Sequence, residues 1–478
     1  MGWATADYVF WSVLLAKGMG TTPMDDQVMA YLEKYQGQAW LVGGYVRDRL
    51  CDEESHDVDV IVPEGGIRLA RAIANRFDGA WFILDEDRDV GRAILAREDS
   101  SPTYVDVARL RDPDLLTDLS LRDFTINAMA LDMRAPGMLI DPFGGKSDLE
   151  TGTVRAISEG AFIDDPLRIL RGVRLEAELG LRIDDATFLL MRRDAALLQR
   201  VAAERVRDEL DRILGARRSW RWVEQLAQLD VLQVVLPGSA AQIGVMQSPP
   251  HYPDAFDHTR SVLAHLEALL ARVDGDTAGA LHDLVGGGIL PADDRAWKLA
   301  VGVLAENAGE FRRWMGTAIG SGRQRASLLK WAALMHDWGK PASRSIDGQS
   351  VHFYGHEARG ERLAQERATW LRFSQLEVGY LRTVVGLHMR LPLLAQESMP
   401  SDRAIYRFTR DARMAGADLV LLALADRLSI CSSASDLDAM ERTIAVCNRV
   451  MQRYAAGGAS GPVPTPLLDG NRIMQELD

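Results

Sequence analysis

The chain has 478 residues and a formal charge of −13, with 47% apolar and 26% charged residues. Such a composition is that of an ordinary globular protein of roughly two to four domains, and the acidic balance excludes a nonspecific DNA binder while leaving room for a local basic groove. Three scattered cysteines, Cys51, Cys431 and Cys447, form neither a disulfide framework nor a metal knuckle and fit a reducing cytoplasm.

Residues 1–37 read as an N-terminal helical extension. The apolar patch from Tyr8 to Ala16 is too short to span a bilayer and lacks a preceding positive region, so neither an anchor nor a signal peptide is expected. An amphipathic helix over 26–37 ends at Gly37.

The stretch from Leu41 to Val62 carries the densest signal in the chain. An apolar lead runs into Gly43-Gly44, then Arg47 and Asp48, an acidic loop, and Asp57-Val58-Asp59 inside an apolar strand. Strand side chains alternate, so Asp57 and Asp59 share a face. Two carboxylates side by side repel unless a cation lies between them, and Mg²⁺ prefers carboxylate oxygen plus substrate phosphate. Paired glycines let backbone N–H groups approach a triphosphate, which Arg47 would neutralise. Those features together are the layout of a metal-dependent nucleotidyl transfer site.

A helix is expected over 67–78, then strands at Trp81–Leu84, Gly91–Ala96 and Tyr104–Val107, the last carrying Asp106 as a candidate third carboxylate. This order gives a small α/β head with one mixed sheet. In 121–132, Arg122 would hold phosphate and Asp123 a ribose hydroxyl, with Asn127 four residues on; a helix capped by Asp123 is compatible with both roles. A strand and glycine turn cover 138–149. From Asp164 a helix is expected with Asp165 as N-cap and Pro166 in its first turn. Arg168, Arg171 and Arg174 share one side of it, where a carboxylate and guanidinium groups would meet a base edge. Another helix covers Ala202–Leu214. Beyond it Arg217, Arg218, Trp220, Arg221 and Trp222 suit either RNA contact or a packed helix end.

GGYVRD…DVD, LRDFTINA, DPFGG, DDPLRILRGVR and ERVRDEL, in that order, resemble the bacterial tRNA nucleotidyltransferase and poly(A) polymerase family, which builds the CCA end of tRNA. The resemblance implies that Asp57 and Asp59 hold catalytic Mg²⁺, assisted by Asp106. It implies that Gly44, Arg47 and Arg122 contact the triphosphate and Asp123 the ribose, with Gly43, Asp48 and Asn127 completing the nucleotide site. Asp165 and Arg168 would pair with the base of CTP or ATP, supported by Arg171 and Arg174. The partners implied are tRNA, CTP and ATP, with no membrane. Two departures stand out. Leu121 replaces the family's first arginine, and Arg122 comes only sixteen positions after Asp106, where CCA-adding relatives carry a longer flexible loop. The implied activity is addition of C, C and A. A CC-adding enzyme, a poly(A) polymerase and a tRNA-end repair protein are the alternatives.

Eight of the nine histidines lie at or after His251. His258, His336-Asp337, His356, His388 and Asp426 fall on apolar-flanked, mostly helical segments, a setting that fixes metal-ligand geometry. Their order, with Gly339-Lys340-Pro341 after His336-Asp337, resembles the HD metal-dependent phosphohydrolase family. The ligands implied are His258, His336, Asp337 and Asp426, with His356 and His388 serving a second divalent metal or phosphate. His282-Asp283 lacks the Gly-Lys turn and is discounted. The fold expected is an α/β nucleotidyltransferase head with a mixed sheet (38–155), then a mainly α-helical neck and RNA-binding region (156–245), a helical HD domain (246–455), and a linker and tail (456–478).

Overall fold

A computed structural model describes residues 24–457, apart from 54, 98–101, 112–113, 136, 249–253, 276–291, 397–399 and 432–435. The apolar patch from Tyr8 to Ala16, His251, His282-Asp283 and the expected tail from 458 lie outside the described residues. The chain divides into two compact units between Asp194 and Ala195, so the helical stretch expected over 156–245 is shared between them. No helix among the described residues is long and apolar enough to cross a membrane.

The first unit is built on a seven-stranded sheet. Its elements are α1 (Met24–Leu32), β1 (Trp40–Val42), α2 (Gly44–Leu50), β2 (Asp57–Val62), α3 (Gly66–Arg76), β3 (Ala80–Asp85), β4 (Val90–Leu95), β5 (Thr103–Arg109), α4 (Leu115–Ser120), β6 (Ala130–Asp132) and β7 (Leu139–Ile140). The spatial order is β3-β4-β5-β2-β1-β6-β7, with β2 and β5 parallel and the other pairs antiparallel. The mixed sheet expected from the sequence is therefore present. Alternation sorts its faces. Val58, Val60 and Val62 of β2 and Val105 and Val107 of β5 pack with Leu69 and Ile73 of α3 in one buried cluster. Ile61 joins Trp40, Val42 and Ala130 on the opposite face. Asp57 and Asp59 share the parity of Ile61.

Several boundaries differ from the sequence reading. The first helix ends at Leu32, five residues before Gly37, because 33–35 close in tight turns. Residues 121–127 do not form a capped helix. They make one short 3₁₀ turn, Thr125–Asn127, whose segment is bridged to Ala156 at Phe124. After α5 (Gly145–Glu150) and α6 (Ala161–Asp164), regular helix resumes as α7 only at Arg168, running to Leu179. Asp165 is extended and its carboxylate accepts from the Leu167 N–H at 3.2 Å, so it caps the turn before α7. Gly172 lets α7 pack against Phe124, since a Cβ there would lie 3.0 Å from that ring. The unit ends with α8 (Asp185–Asp194).

The second unit is mainly helical. It includes α9 (Ala203–Gly215), α10 (Ser219–Gln228), α11 (Ala255–Asp274), α12 (Arg325–Met335), α13 (His356–Trp370), α14 (Gln375–Leu387) and α15 (Gly416–Ile430). α11 and α15 are buried along most of their length, as their apolar sequences require. Trp220 and Trp222 are buried, and Trp222 Nε1 donates to the Arg217 carbonyl at 2.9 Å. These rings are packing residues rather than stacking platforms, which decides the sequence alternative for 217–222 in favour of a packed helix end.

His265 of α11 is fully buried. Its Nδ1 lies 2.8 Å from the Ser261 carbonyl, and its Nε2 has no partner. Burial pushes its pKa down to about 4. The folded state thus binds fewer protons than the unfolded one between pH about 6.5 and about 4. Stability is full above that window and is lost as pH falls through it, by up to about 1.4 kcal/mol per pH unit. His265→Leu removes this site. Its urea midpoint is expected to drop less than that of the unsubstituted protein between neutral pH and pH near 5; equal drops would contradict the assignment.

Candidate functional site

Two sites can be built from the residues upward, one in each unit. In the first, the parallel register sets Asp59 beside Asp106, and the antiparallel register sets Asp106 opposite Arg92. Asp57, Asp59 and Asp106 therefore lie on one sheet face, away from the valine cluster. Gly43 enters α2 with φ +71, and a Cβ there would lie 2.9 Å from Arg122 Nη1 and 3.0 Å from Asp59 Oδ2. The glycine is thus required twice, by the backbone and by the close approach. Burial pushes the Asp59 carboxyl up to about 6; the Arg122 guanidinium opposes the rise, and Asp106 and Asp57 add to it. A divalent cation against Asp57 and Asp59 would supply the charge this face lacks, so the donor set fits Mg²⁺.

Asp106 has a partner the sequence did not suggest: Arg92 grips it bidentately, with Nε–Oδ1 and Nη2–Oδ2 both at 2.6 Å. Arg92 carried no signal in the sequence, because only the strand register places it there.

The remaining head residues form a connected network. Arg47 Nη1 donates to Asn127 Oδ1 at 2.7 Å, and its Nε donates to Asp48 Oδ1 at 2.8 Å. Asn127 Nδ2 donates to Asp123 Oδ1 at 3.0 Å. Asp123, expected at a ribose, is buried and also accepts from the Phe124 N–H at 2.8 Å, with Arg171 3.6 Å away. Arg122 lies 3.6 Å from Asp118, a partner the sequence did not suggest. Arg168 donates to three backbone carbonyls, those of Leu121, Arg122 and Ala161. Arg174 pairs with Glu178 at 2.7 Å along its own helix.

The second site gathers all six residues that the histidine order implied. His258 of α11, His336 after α12 and Asp426 of α15 form one potential metal group, and Asp337, His356 and His388 form another. Asp337 joins them. Its Oδ2 lies 3.0 Å from His336 Nε2 and 3.4 Å from His258 Nε2, while its Oδ1 lies 3.3 Å from His356 Nε2 and 3.7 Å from His388 Nε2. His258 Nε2 is 3.1 Å from Asp426 Oδ1.

Three of these imidazoles are fixed in the same way. Nδ1 of His336, His356 and His388 lies 2.7, 2.8 and 2.7 Å from the carbonyl three residues earlier. The Nδ1–H donates there, leaving an Nε2 lone pair turned inward. His356 Nε2 then meets His388 Nε2 at 3.1 Å with no proton between them. His336 differs: burial opposes its charge, but the Asp337 carboxylate 3.0 Å from Nε2 outweighs burial and raises its pKa. A cation would resolve the His356–His388 contact. Burial, reinforced by His336, pushes His388 down to about 3, and burial with Lys340 pushes His258 down to about 4, so these two are favoured as neutral ligands. Lys340, which the sequence marks only as part of the Gly-Lys-Pro turn, places Nζ 2.6 Å from Asp337 Oδ2. The donor set fits divalent cations, which His258, His336 and Asp426, and Asp337, His356 and His388, would hold.

Comparison with known proteins gives three family matches along the chain. The sequence profile of the poly A polymerase head domain matches residues 39–155. The probable RNA and SrmB-binding site of polymerase A matches 180–243, and the HD domain matches 299–430. The A-adding tRNA nucleotidyltransferase of Deinococcus radiodurans is 31% identical over 92% of this chain and 87% of its own. The CC-adding tRNA nucleotidyltransferase of Geobacter sulfurreducens is 46% identical, over 39% of this chain and 43% of its own length. The chain therefore matches less than half of that relative. A solved Thermotoga maritima CCA-adding enzyme complexed with tRNA shares the fold at a TM-score of 0.61 and 19% identity, over 95% of this chain and 87% of that one.

Gly43→Ala tests the head site. The backbone at Gly43, φ +71 and ψ −142, costs a side-chain-bearing residue about 1–3 kcal/mol, and an alanine methyl there displaces Arg122 or Asp59. The protein is expected to stay folded while affinity for a magnesium–nucleoside triphosphate falls at least about tenfold by calorimetry. Unchanged affinity would exclude this approach to the ligand.

Proposed function

The chain belongs to the tRNA nucleotidyltransferase family, and from that premise we propose that its head adds C, C and A to tRNA 3′ ends from CTP and ATP without a nucleic-acid template. The observation that carries this reading is the pair Asp57 and Asp59 on one sheet face, beside Gly43 and Arg122. Asp57 and Asp59 would hold Mg²⁺, which when bound activates the attacking hydroxyl and offsets phosphate charge. Gly43 and Gly44 give the triphosphate close access to backbone. Arg122 and Arg47 neutralise it, and the turn capped by Asp165, with Arg171, faces the base. The tRNA 3′-hydroxyl attacks the α-phosphorus and gives up its proton to solvent, the bond to the bridging oxygen breaks, and pyrophosphate leaves with the electron pair. Catalysis is then positioning and electrostatic stabilisation rather than covalent chemistry. Such an enzyme works in the cytoplasm, which also suits three free cysteines.

A specific observation favours a second reading. The connector between β5 and α4 covers only 110–114, so the long loop associated with the switch from C to A is replaced by a short link. The likeness to the CC-adding Geobacter protein supports a CC-only product, and the likeness to the A-adding Deinococcus protein opposes it.

Incorporation of labelled CTP and ATP into tRNA lacking its 3′ end tests both readings. Asp57→Asn and Asp59→Asn are each expected to lower incorporation at least about a thousandfold while leaving the fold intact. Retained activity would refute the head assignment. Product length decides the rest: completed CCA supports the first reading, and a stall after CC supports the second.

For the HD centre we infer a metal-dependent phosphohydrolase acting on a phosphate ester at an RNA end. Elemental analysis of the purified protein is expected to find two divalent ions per chain in this unit. Asp337→Asn should lose both and His356→Ala one. Equal metal content in all three proteins would refute a dinuclear centre.

A further inference from the structure

The sheet face that carries Asp57 and Asp59 continues past them toward the β3 edge. Directly paired residues of neighbouring strands share a face, so two rows can be followed across the sheet. One runs Asp59, Asp106, Arg92, Phe82, and the other Asp57, Tyr104, Ile94, Ala80. At about 5 Å per strand, Tyr104 stands next to Asp57, and Phe82 lies about 14 Å from Asp59. Arg92 sits over the Tyr104 ring, 5.3 Å from its centre, while it grips Asp106. Phe82 is 41% exposed on an edge strand, where an open apolar side chain invites unwanted pairing. The core does not ask for it there, because Trp81 and Ala93, of opposite parity, are the pair that packs with the valine cluster.

Gly43, Arg122 and Asn127 stand on the other side of the carboxylates. Gly43 follows β1, Arg122 and Asn127 precede β6, and both strands lie beyond β2 in the direction away from β5. In-line displacement sets the attacking oxygen opposite the leaving one. With the triphosphate on the β1 side, the acceptor hydroxyl enters from the β5 side, and the chain behind it crosses β5, β4 and β3. We propose that Tyr104 and Phe82, with the Arg92–Asp106 pair between them, form a stacking platform for the unpaired 3′ end of tRNA. This rests on the head being the nucleotidyl transfer site. Stacking suits an acceptor whose last base changes with each addition, since every base has a π-face. The other candidate occupant of an apolar edge strand is a second copy of the chain.

Kinetics of the full chain with CTP and a tRNA that ends after its first C test this. Phe82→Leu keeps an apolar side chain and removes the π-face. Its KM for tRNA is expected to rise about tenfold, the loss of one stacked base, while its KM for CTP and its melting temperature stay unchanged. Phe82→Trp restores a π-face and is expected to match the unsubstituted protein. Tyr104→Leu is expected to show the same split as Phe82→Leu and serves should the latter fail to fold. On an acceptor whose unpaired end lacks bases, Phe82→Leu and the unsubstituted protein should have equal KM values. An unchanged KM for the base-bearing tRNA in both leucine variants would overturn the proposal. So would a parallel rise in both KM values, which marks a strand that merely supports the site. Sedimentation separates the other occupant: a dimer that Phe82→Leu dissociates, with KM for tRNA unchanged, makes the strip a contact between copies and overturns the proposal. If the unsubstituted protein added no nucleotide to any tRNA, the head assignment would fall, and this inference with it.

Discussion

The head depends on keeping two carboxylates together on one face of a strand. Nothing about stability asks for this. Asp59 is half-buried, and burial raises its pKa to about 6 against the pull of Arg122, so the folded chain carries charge that its own residues only partly balance. A strand serving stability alone would place an apolar side chain at 59, as it does at 58, 60, 61 and 62. The scaffold absorbs the cost. β2 lies between β1 and β5, its valines are sunk into the core, and the Gly43 turn leaves room for Arg122. A divalent cation against Asp57 and Asp59 would supply the rest of the balance.

The HD centre meets the same problem by a different route. His336 and His388 directly follow the last residues of α12 and α14, where helices leave carbonyls without an intrahelical donor. Each imidazole satisfies a carbonyl of its own last turn through Nδ1–H, which fixes the ring and turns Nε2 inward. His356, the first residue of α13, does so with the Phe353 carbonyl. Backbone capping and ring orientation are thereby one interaction, which lets imidazoles gather around Asp337 in a buried core.

What was legible in the sequence came from short-range periodicity and motif order. Period two placed Asp57 and Asp59 on one face, and the order of histidines and aspartates named all six members of the HD cluster. What was not legible depends on register or tertiary partners. The Arg92 partner of Asp106 was hidden because it arrives only through antiparallel pairing of β4 and β5. The contacts of Asp123 were hidden because Asn127 and Arg171 come from a turn and a distant helix. Trp220 and Trp222 alternate with arginines in the chain, but a helix turns both rings into the core. The start of α7 was placed early because Asp165 and Pro166 signal a cap, while the chain takes a further turn before the helix settles.

The way arginines are spent in the head bears on how a nucleotide binds. Arg92 is committed to Asp106, Arg47 to Asp48 and Asn127, and Arg168 to backbone carbonyls. A triphosphate arriving at Arg47 exchanges partners instead of meeting a bare cation. The affinity gained is then the difference between a phosphate contact and the carboxylate contact it replaces, which is smaller than either. Arg122 differs, because its own contacts are long and its Nε is unpaired. A phosphate bound there would forfeit little. On the proposed reading, the strongest differential contact to a triphosphate would therefore fall on the guanidinium next to Asp59, the group that also opposes the rise in that carboxyl's pKa.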